Sequence, residues 1–143
     1  MRKIAEQIFL AGVEHVLPDR LIAQQVNREG SLLHIAGRTY PLSPDGRVYV
    51  LAAGKAAALM AKETENIMGD LITDGLVVTK YGHGSMLSRL TLTEAGHPLP
   101  DAAGVEATRR MLALARRAEK DDLVICLISG GASALMADVP EGA

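Results

Sequence analysis

Apolar residues recur every three or four positions in four stretches of the chain, and this spacing predicts four helices. The stretches cover residues 3–16, 19–26, 56–68 and 101–118. Pro18 is expected to end the first helix and Gly69 the third, because neither residue continues a helix well. Asp101 stands where its carboxylate can cap the fourth helix. The inner face of that helix is expected to carry Val105, Thr108, Met111, Leu112 and Ala115.

Short apolar runs between these helices predict strands. Two brief runs flank Gly37 and predict a small hairpin, and four further runs each lead towards a helix or a glycine-rich loop. The runs cover residues 32–36, 38–42, 48–53, 75–79, 90–93 and 123–128. Because strands alternate with helices, we predict an α/β fold: a Rossmann-like layered domain with a mainly parallel sheet flanked by helices, plus N-terminal helices and the small hairpin.

Two of these strands carry more specific expectations. The run 123–128 is wholly apolar, as in a parallel strand that helices cover on both faces. The direction of the run 90–93 is the least constrained, because about ten residues separate it from Thr79, which is near the shortest length of a parallel crossover.

Composition bounds the class of protein. The 143 residues suit a single domain, 1–143. With 15 Lys and Arg against 17 Asp and Glu, and with 3% aromatic residues, the chain gives no general reason to bind nucleic acid or an anionic membrane. No apolar run is long enough to span a membrane, and the N-terminus lacks the pattern of a secretory signal. The single cysteine, Cys126, cannot form an intrachain disulfide, so we expect a cytoplasmic protein.

The residues that could bind a ligand or take part in catalysis follow predicted strands directly. Gly54 and Lys55 follow the strand 48–53, Glu94 and His97 follow the strand 90–93, and a loop of five residues follows the strand 123–128. Because open α/β sheets bind ligands beyond the carboxyl ends of their strands, these residues are expected to meet at one edge.

The last of these loops contains a pair of glycines between two serines. It consists of Ser129, Gly130, Gly131, Ala132 and Ser133. Backbone N–H groups of such a turn at a helix start can hold a phosphate or a carboxylate. The same glycines equally suit close packing of a helix on the sheet.

Lys55 and the 94–101 loop each allow two interpretations. A lysine cation in the first turn of a helix interacts unfavourably with the helix dipole, and a bound anion would make its position favourable. A solvated lysine on a surface turn fits the same position. Glu94 and His97 lie in a loop that two prolines stiffen, where they could orient a substrate hydroxyl or have a purely structural role.

Several better-known motifs are absent. A phosphate-binding Walker loop would need Gly and Ser or Thr where the chain has Tyr49 and Ala56. The dinucleotide fingerprint needs three spaced glycines, and Gly54 supplies one. The sequence also lacks a nucleophile elbow around Ser133 and a Cys/His cluster at metal-ligand spacing.

Four segments, in this order, resemble the N-terminal region of the glycerate 2-kinase family, whose C-terminal portion is the MOFRL domain. The segments are Gly54-Lys55-Ala56-Ala57, Val78-Thr79-Lys80-Tyr81-Gly82-His83, Glu94-Ala95-Gly96-His97-Pro98-Leu99-Pro100-Asp101 and Ser129-Gly130-Gly131-Ala132-Ser133-Ala134-Leu135. The resemblance extends from about residue 3 to the end of the chain.

The resemblance implies the N-terminal part of a two-domain enzyme that transfers phosphate from ATP to the 2-hydroxyl of glycerate with a divalent metal, expected to be Mg²⁺. It implies that Lys55 is the active-site lysine and that residues 129–133 form the glycine-rich wall of a cleft. An arginine of the second, MOFRL-type domain has no counterpart up to Ala143, so the 143 residues are not expected to be active alone. The metal ligands stay unassigned, and a homo-oligomer is compatible with the sequence.

Two other functions remain open at this point. One is an oxidoreductase acting on hydroxypyruvate, against which the missing spaced glycines argue. The other is a non-catalytic fragment or a small-anion-binding module, because the chain stops at residues 139–143, where a further helix or loop is expected to be completed.

Overall fold

The computed structural model describes residues 1–138, in which helices and strands alternate as the sequence predicts. In chain order the elements are α1 Arg2–His15, α2 Pro18–Gln25, β1 Val26–Glu29, β2 Leu32–Ile35, β3 Arg38–Pro41, β4 Val48–Ala53, α3 Ala57–Met68, β5 Asp74–Lys80, β6 Thr91–Ala95, α4 Ala102–Arg116, β7 Leu123–Ile128 and α5 Ala132–Leu135. A 3-10 turn, Gly69–Leu71, follows α3. Residues 139–143, where we expected a further element, lie outside the described residues.

The main sheet has four strands in the order β6-β5-β4-β7, and every neighbouring pair is parallel. This confirms the predicted α/β class, with helices on both faces. It also settles the direction of β6, which pairs parallel to β5 from Leu76↔Thr91 to Lys80↔Ala95. All four strands therefore deliver the loops that follow them to the same edge of the sheet, which we call the carboxyl edge.

The small N-terminal sheet confirms the predicted hairpin, formed by β2 and β3, and adds a third antiparallel strand, β1, that was not predicted. Residues 26–29 were expected to finish a helix and form a turn. Instead Val26 is buried and pairs with Ile35, which draws the polar residues after it into β1. Tertiary pairing overrides local propensity here. Pro18, expected to end α1, is the first residue of α2, where its missing N–H costs nothing.

The core consists of two apolar layers, one on each face of the main sheet. The strand β4 is buried at all six positions and contributes to both layers. On one face, α3 and the small sheet pack around Val50 and Val77; on the other, α4 packs around Leu51 and Val78.

The helix α4 is rotated relative to its predicted inner face. Its buried residues are Gly104, Ala107, Thr108, Met111 and Leu114, whereas Leu112 is exposed. Gly104 explains the rotation, because a Cβ there would lie 3.1 Å from the carbonyl oxygen of Leu135 and 3.5 Å from the Cβ of Ala95. The helix therefore approaches its neighbours along its glycine rather than along Leu112.

Two apolar surfaces predicted to be covered are exposed. Within residues 1–138, β7 is an edge strand of the main sheet. The helix α3 packs on one face of β7, whereas α4 packs on β4, β5 and β6. Cys126 is exposed, and the side chain of Ile128 is 56% exposed. The apolar residues of α1 are likewise exposed, with Phe9 at 68%. No helix among the described residues combines the length and the hydrophobicity needed to cross a membrane.

A buried carboxylate that the sequence did not reveal fixes the crossover between β5 and β6. Glu65 of α3 is 9% exposed, and its side chain accepts hydrogen bonds of 2.7–2.9 Å from the backbone N–H groups of Ser88, Arg89 and Leu90. These bonds attach the last residues of the crossover to α3, so that β6 can enter the sheet in parallel register.

Candidate functional site at the carboxyl edge of the sheet

The turn between β4 and α3 is built around Gly54, which adopts φ +128°. A Cβ at this position would collide with the hydroxyl oxygen of Ser129 and lie 2.6 Å from its carbonyl oxygen. Only glycine is compatible with both the dihedral angle and this approach. The turn from β4 can therefore lie directly against the loop that leaves β7.

Three hydrogen bonds join these two loops. The backbone N–H of Ser129 donates to Ala53 at 3.0 Å, and the N–H of Lys55 donates to the carbonyl of Gly130 at 3.0 Å. The hydroxyl oxygen of Ser129 accepts from the N–H of Ala56 at 3.1 Å. Lys55 and the twin glycines thus lie side by side, as the parallel topology led us to expect.

The side chains of Lys55 and His97 both pack on the twin glycines. Gly131 has φ +95°, and a Cβ there would lie 2.7 Å from Nε2 of His97 and 3.3 Å from Cγ of Lys55. A Cβ on Gly130 would lie 4.0 Å from Cε of Lys55. The lysine stem therefore crosses the bend formed by Gly130 and Gly131, which we call the glycine bend, and the His97 imidazole lies against the same bend. Lys55 itself is exposed.

The bend also presents hydrogen-bond donors. Among the described residues, the backbone N–H groups of Gly130 and Gly131 donate to no acceptor. The hydroxyl of Ser129 accepts from Ala56 and keeps its own proton to donate. Together with the lysine cation, these donors suit an oxyanion such as a phosphate or a carboxylate.

The other two residues of the loop contribute less than predicted. Ala132 already uses its N–H on the carbonyl of Ser129, at 3.3 Å. Ser133 is exposed and lies in α5, a helix of four residues that adds little dipole to the site.

Glu94 and Asp101 fix loops, whereas His97 faces the lysine. The Glu94 carboxylate accepts from the N–H of Gly84 at 2.8 Å and so holds the turn after β5. The Asp101 carboxylate caps α4 through the N–H of Gly104 at 3.0 Å and accepts from the Tyr81 hydroxyl at 2.9 Å. Between them lies the loop that carries His97, with a cis His97–Pro98 bond. Of the two predicted orienting residues, only His97 contacts the glycine bend.

The cap at Asp101 predicts an acid-dependent stability. Hydrogen bonds from the N–H groups of Gly104 and Gly96, and then from Tyr81, lower the pKa of its carboxyl group. A carboxyl group whose pKa is lowered in the folded state stabilises the fold at pH values above its ordinary pKa. This stabilisation is lost as the pH falls through the lowered pKa. We expect Asp101→Asn to be less stable than wild type at pH 7 and equal to it at strongly acidic pH. Urea unfolding of both proteins across this range, with Asp138→Asn as a control, measures the difference.

The glycine bend predicts an effect on ligand binding in addition to a modest effect on folding. In Gly131→Ala, the new methyl group would displace His97 and the lysine stem, which are side chains that can move, so we expect roughly 1–2 kcal/mol of lost stability. Anion affinity should fall about tenfold or more, because both side chains leave their positions. Calorimetric titration of wild type and Gly131→Ala with MgATP measures the difference in affinity. An unchanged affinity would contradict the placement of the site.

Thr79 is a contact of the site that sequence reasoning missed. Its hydroxyl donates to the carbonyl of Gly54 at 3.0 Å, and the residue is fully buried. The signal was a threonine in the otherwise apolar run of β5, directly before Lys80.

Two cavities among the described residues lie away from this site. One of about 260 Å³ at the amino ends of β5 and β6 is lined by Asp74, Arg110 and Arg117. Another of about 490 Å³ is lined by Arg47 and several carboxylates, including Asp122. In both, the nearest charges pair with each other, Arg117 with Asp74 and Arg47 with Asp122. The site residues Lys55, His97 and 129–133, by contrast, line neither of these cavities.

The described residues do not assemble a metal site of their own. Within residues 1–138, no three His, Cys, Asp or Glu side chains lie close enough together to hold a metal ion. A divalent metal that arrives with a nucleotide needs only one or two carboxylates in addition to the phosphates, so this finding does not bear on such a metal.

Comparison with known proteins finds one matching family and several longer relatives. The family described as "Domain of unknown function (DUF4147)" matches residues 4–142. The "Glycerate 2-kinase" of Pyrococcus horikoshii is 36% identical over 141 residues, which cover 99% of this chain and 31% of the relative. A relative from Agrobacterium vitis, provisionally named a hydroxypyruvate reductase, is 44% identical over 97 residues, or 68% of this chain and 25% of the relative.

A solved structure shares the fold. The crystal structure of glycerate kinase from Thermotoga maritima superposes with a TM-score of 0.78 and 35% identity, covering 99% of this chain and 31% of that one. This agreement supports the sheet order and the position of the carboxyl edge. The chain spans about a third of the length of the relatives it matches.

Proposed function

This chain belongs to the DUF4147 family, and from that premise we propose that it forms one wall of the active site of a glycerate 2-kinase. The reaction is the ATP-dependent phosphorylation of glycerate to 2-phosphoglycerate. Glycerate and ATP are then its small-molecule partners, and a divalent metal, with Mg²⁺ the expected ion, accompanies the nucleotide.

One observation carries this proposal: the stem of Lys55 crosses the twin-glycine bend at the edge where all four parallel strands end. The contact brings a lysine side chain, within one small area, to two backbone N–H groups that donate to no acceptor among residues 1–138. Phosphoryl transfer depends mainly on alignment and on neutralising charge on the transferred group, and this area offers both.

Each residue has a role that follows from its position. The amine of Lys55 would neutralise charge on the phosphoryl group as its bond to ADP breaks and its bond to the glycerate oxygen forms. The N–H groups of Gly130 and Gly131, with the Ser129 hydroxyl, would hold the glycerate carboxylate or a nucleotide phosphate. His97 would orient the attacking 2-hydroxyl and accept its proton through Nε2. Glu94 keeps the neighbouring turn in place and touches no substrate in this scheme.

The site is open on the side away from the sheet, so a facing wall is part of the proposal. We assign that wall to the portion of the longer relatives that this chain does not match. An ATP phosphate chain between two such walls would be shielded from water, which strengthens the action of a single lysine cation. The metal ligands belong to the same facing portion.

A chimera tests the proposal directly. Residues 1–143 would replace the matched segment of the Pyrococcus horikoshii relative, and phosphoglycerate would be measured with D-glycerate, ATP and Mg²⁺. We expect 2-phosphoglycerate as the product, with 3-phosphoglycerate as the regiochemical control. A correctly folded chimera that binds MgATP but forms no phosphoglycerate would contradict the proposal.

The name of the Agrobacterium vitis relative favours one second candidate, the reduction of hydroxypyruvate by a nicotinamide cofactor. The same chimera, assayed with hydroxypyruvate and reduced nicotinamide, discriminates between the two. The turn at Gly54 offers a single glycine and is filled by Ser129, so we expect no nicotinamide oxidation.

A further inference from the structure

Thr79 is an unusual residue for its place in the sheet. It lies near the end of β5, is fully buried, and follows three apolar residues, Leu76, Val77 and Val78. Valine would fill nearly the same volume without the cost of burying a hydroxyl group. The hydroxyl therefore has to be explained by the contact that it makes.

That contact fixes a single peptide group, the one between Gly54 and Lys55. The carbonyl oxygen of Gly54 accepts from Oγ1 of Thr79 at 3.0 Å and from the N–H of Ala57 at 3.1 Å. The N–H on the other side of the same peptide, which belongs to Lys55, donates to Gly130 at 3.0 Å. Both ends of the peptide plane are thus held, and Thr79 supplies the side-chain part of the restraint.

We propose that Thr79 is a positioning residue: it sets the orientation of the 54–55 peptide and thereby aims the Lys55 side chain across the glycine bend. The proposal rests on the function inferred for Lys55 above. Thr79 itself touches no substrate, because it is buried beneath the turn.

The geometry explains why this restraint matters at Gly54. Glycine at φ +128° has no side chain to limit its rotation, so the peptide that follows it is held only by its hydrogen bonds. Loss of the Thr79 hydroxyl leaves the Gly54 carbonyl one partner, Ala57, so the fold should survive. The peptide plane then keeps two of its three hydrogen bonds and is less tightly restrained against tilting, and a displacement of about 1 Å at a reacting group can cost on the order of 100-fold in rate.

Amide exchange in the 143-residue chain tests the proposal without any need for catalysis. We expect Thr79→Val to speed exchange at the Lys55 amide about tenfold relative to the core amides of β4, and to shift the Cε and Nζ resonances of Lys55. Thr79→Ser keeps the hydroxyl and should restore both readouts. Thr108→Val is the matched control, since it removes another buried hydroxyl, which donates to the carbonyl of Gly104 at 2.8 Å and makes no hydrogen bond to the 54–55 peptide.

The outcomes separate cleanly. If Thr79→Val leaves the Lys55 amide and side-chain resonances as in wild type, or if Thr79→Ser behaves like Thr79→Val, the positioning role is wrong. If Thr108→Val changes the Lys55 signals as much as Thr79→Val does, the effect is global and the role is equally wrong. None of these results depends on whether Lys55 acts in phosphoryl transfer, which the chimera decides separately.

Discussion

Replacing Lys55 by alanine in the chimera is expected to lower kcat for phosphoglycerate formation by about 100- to 1,000-fold, the usual cost of removing one charged group aimed at a developing oxyanion. The residue is exposed, so its loss should leave the free energy of unfolding within about 0.5 kcal/mol of wild type. A large kinetic effect with an unchanged fold is the signature of a residue that acts on the ligand.

The control for this substitution is Lys62→Ala, which removes an exposed lysine from α3, the helix that follows the Lys55 turn. It should change kcat less than about twofold, because the distance and solvent screen its charge from the site. Lys55→Arg is informative as well, since the charge is kept but its position over the bend changes. Wild-type turnover in Lys55→Ala would remove this residue from the mechanism.

Replacing Gly54 by alanine is expected to produce the largest loss of stability of any single substitution at the site, about 3–5 kcal/mol. The new Cβ would meet backbone and side-chain atoms of Ser129, so the loop from β7 would have to separate from the turn. The positive φ of Gly54 adds to this cost. Urea unfolding of the 143-residue chain measures the effect.

Gly82→Ala isolates the contribution of the dihedral angle. Gly82 has φ +73°, and no atom lies within 4 Å of the position that a Cβ would take. We expect a loss of about 1 kcal/mol from backbone strain alone. If Gly54→Ala and Gly82→Ala lose similar stability, the close approach of the two loops is not what requires glycine at Gly54.

The carboxyl edge could be predicted from the sequence because its causes are local and repeated. Each strand of the main sheet is an apolar run, and an element of helical spacing separates most of them, so a parallel sheet was the consistent arrangement. Once the strands are parallel, Lys55 and the 129–133 loop must leave the sheet on the same side. Their direct contact requires in addition that β4 and β7 are neighbours in the sheet, and the strand order was not predicted.

What could not be predicted depends on long-range contacts between polar groups. Glu65 has the sequence context of an exposed helical glutamate, and only the crossover segment that folds onto it makes it a buried acceptor. Glu94 and His97 are both loop residues and could not be distinguished from the sequence. In the structure the Glu94 carboxylate accepts a hydrogen bond from Gly84, whereas His97 packs on the glycine bend. The role of Thr79 could not be predicted without knowing the direction of the Gly54 carbonyl, to which its hydroxyl donates.

The burial of the edge elements was also beyond reach of the sequence. A wholly apolar strand such as β7 predicts two covered faces, but the number of layers over it depends on which strands α4 crosses. Likewise, the helical period of α4 was recognised while its rotation was not, because a single glycine, Gly104, decides which side approaches the sheet.

The most direct test of the central claim is a titration of the isotopically labelled 143-residue chain with MgATP and then D-glycerate, following backbone amide resonances. The account predicts that the largest shifts occur at Lys55, His97, Gly130 and Gly131, along the carboxyl edge. Shifts confined to the opposite edge, around the cavity of Arg110, or no shifts at millimolar ligand, would contradict it.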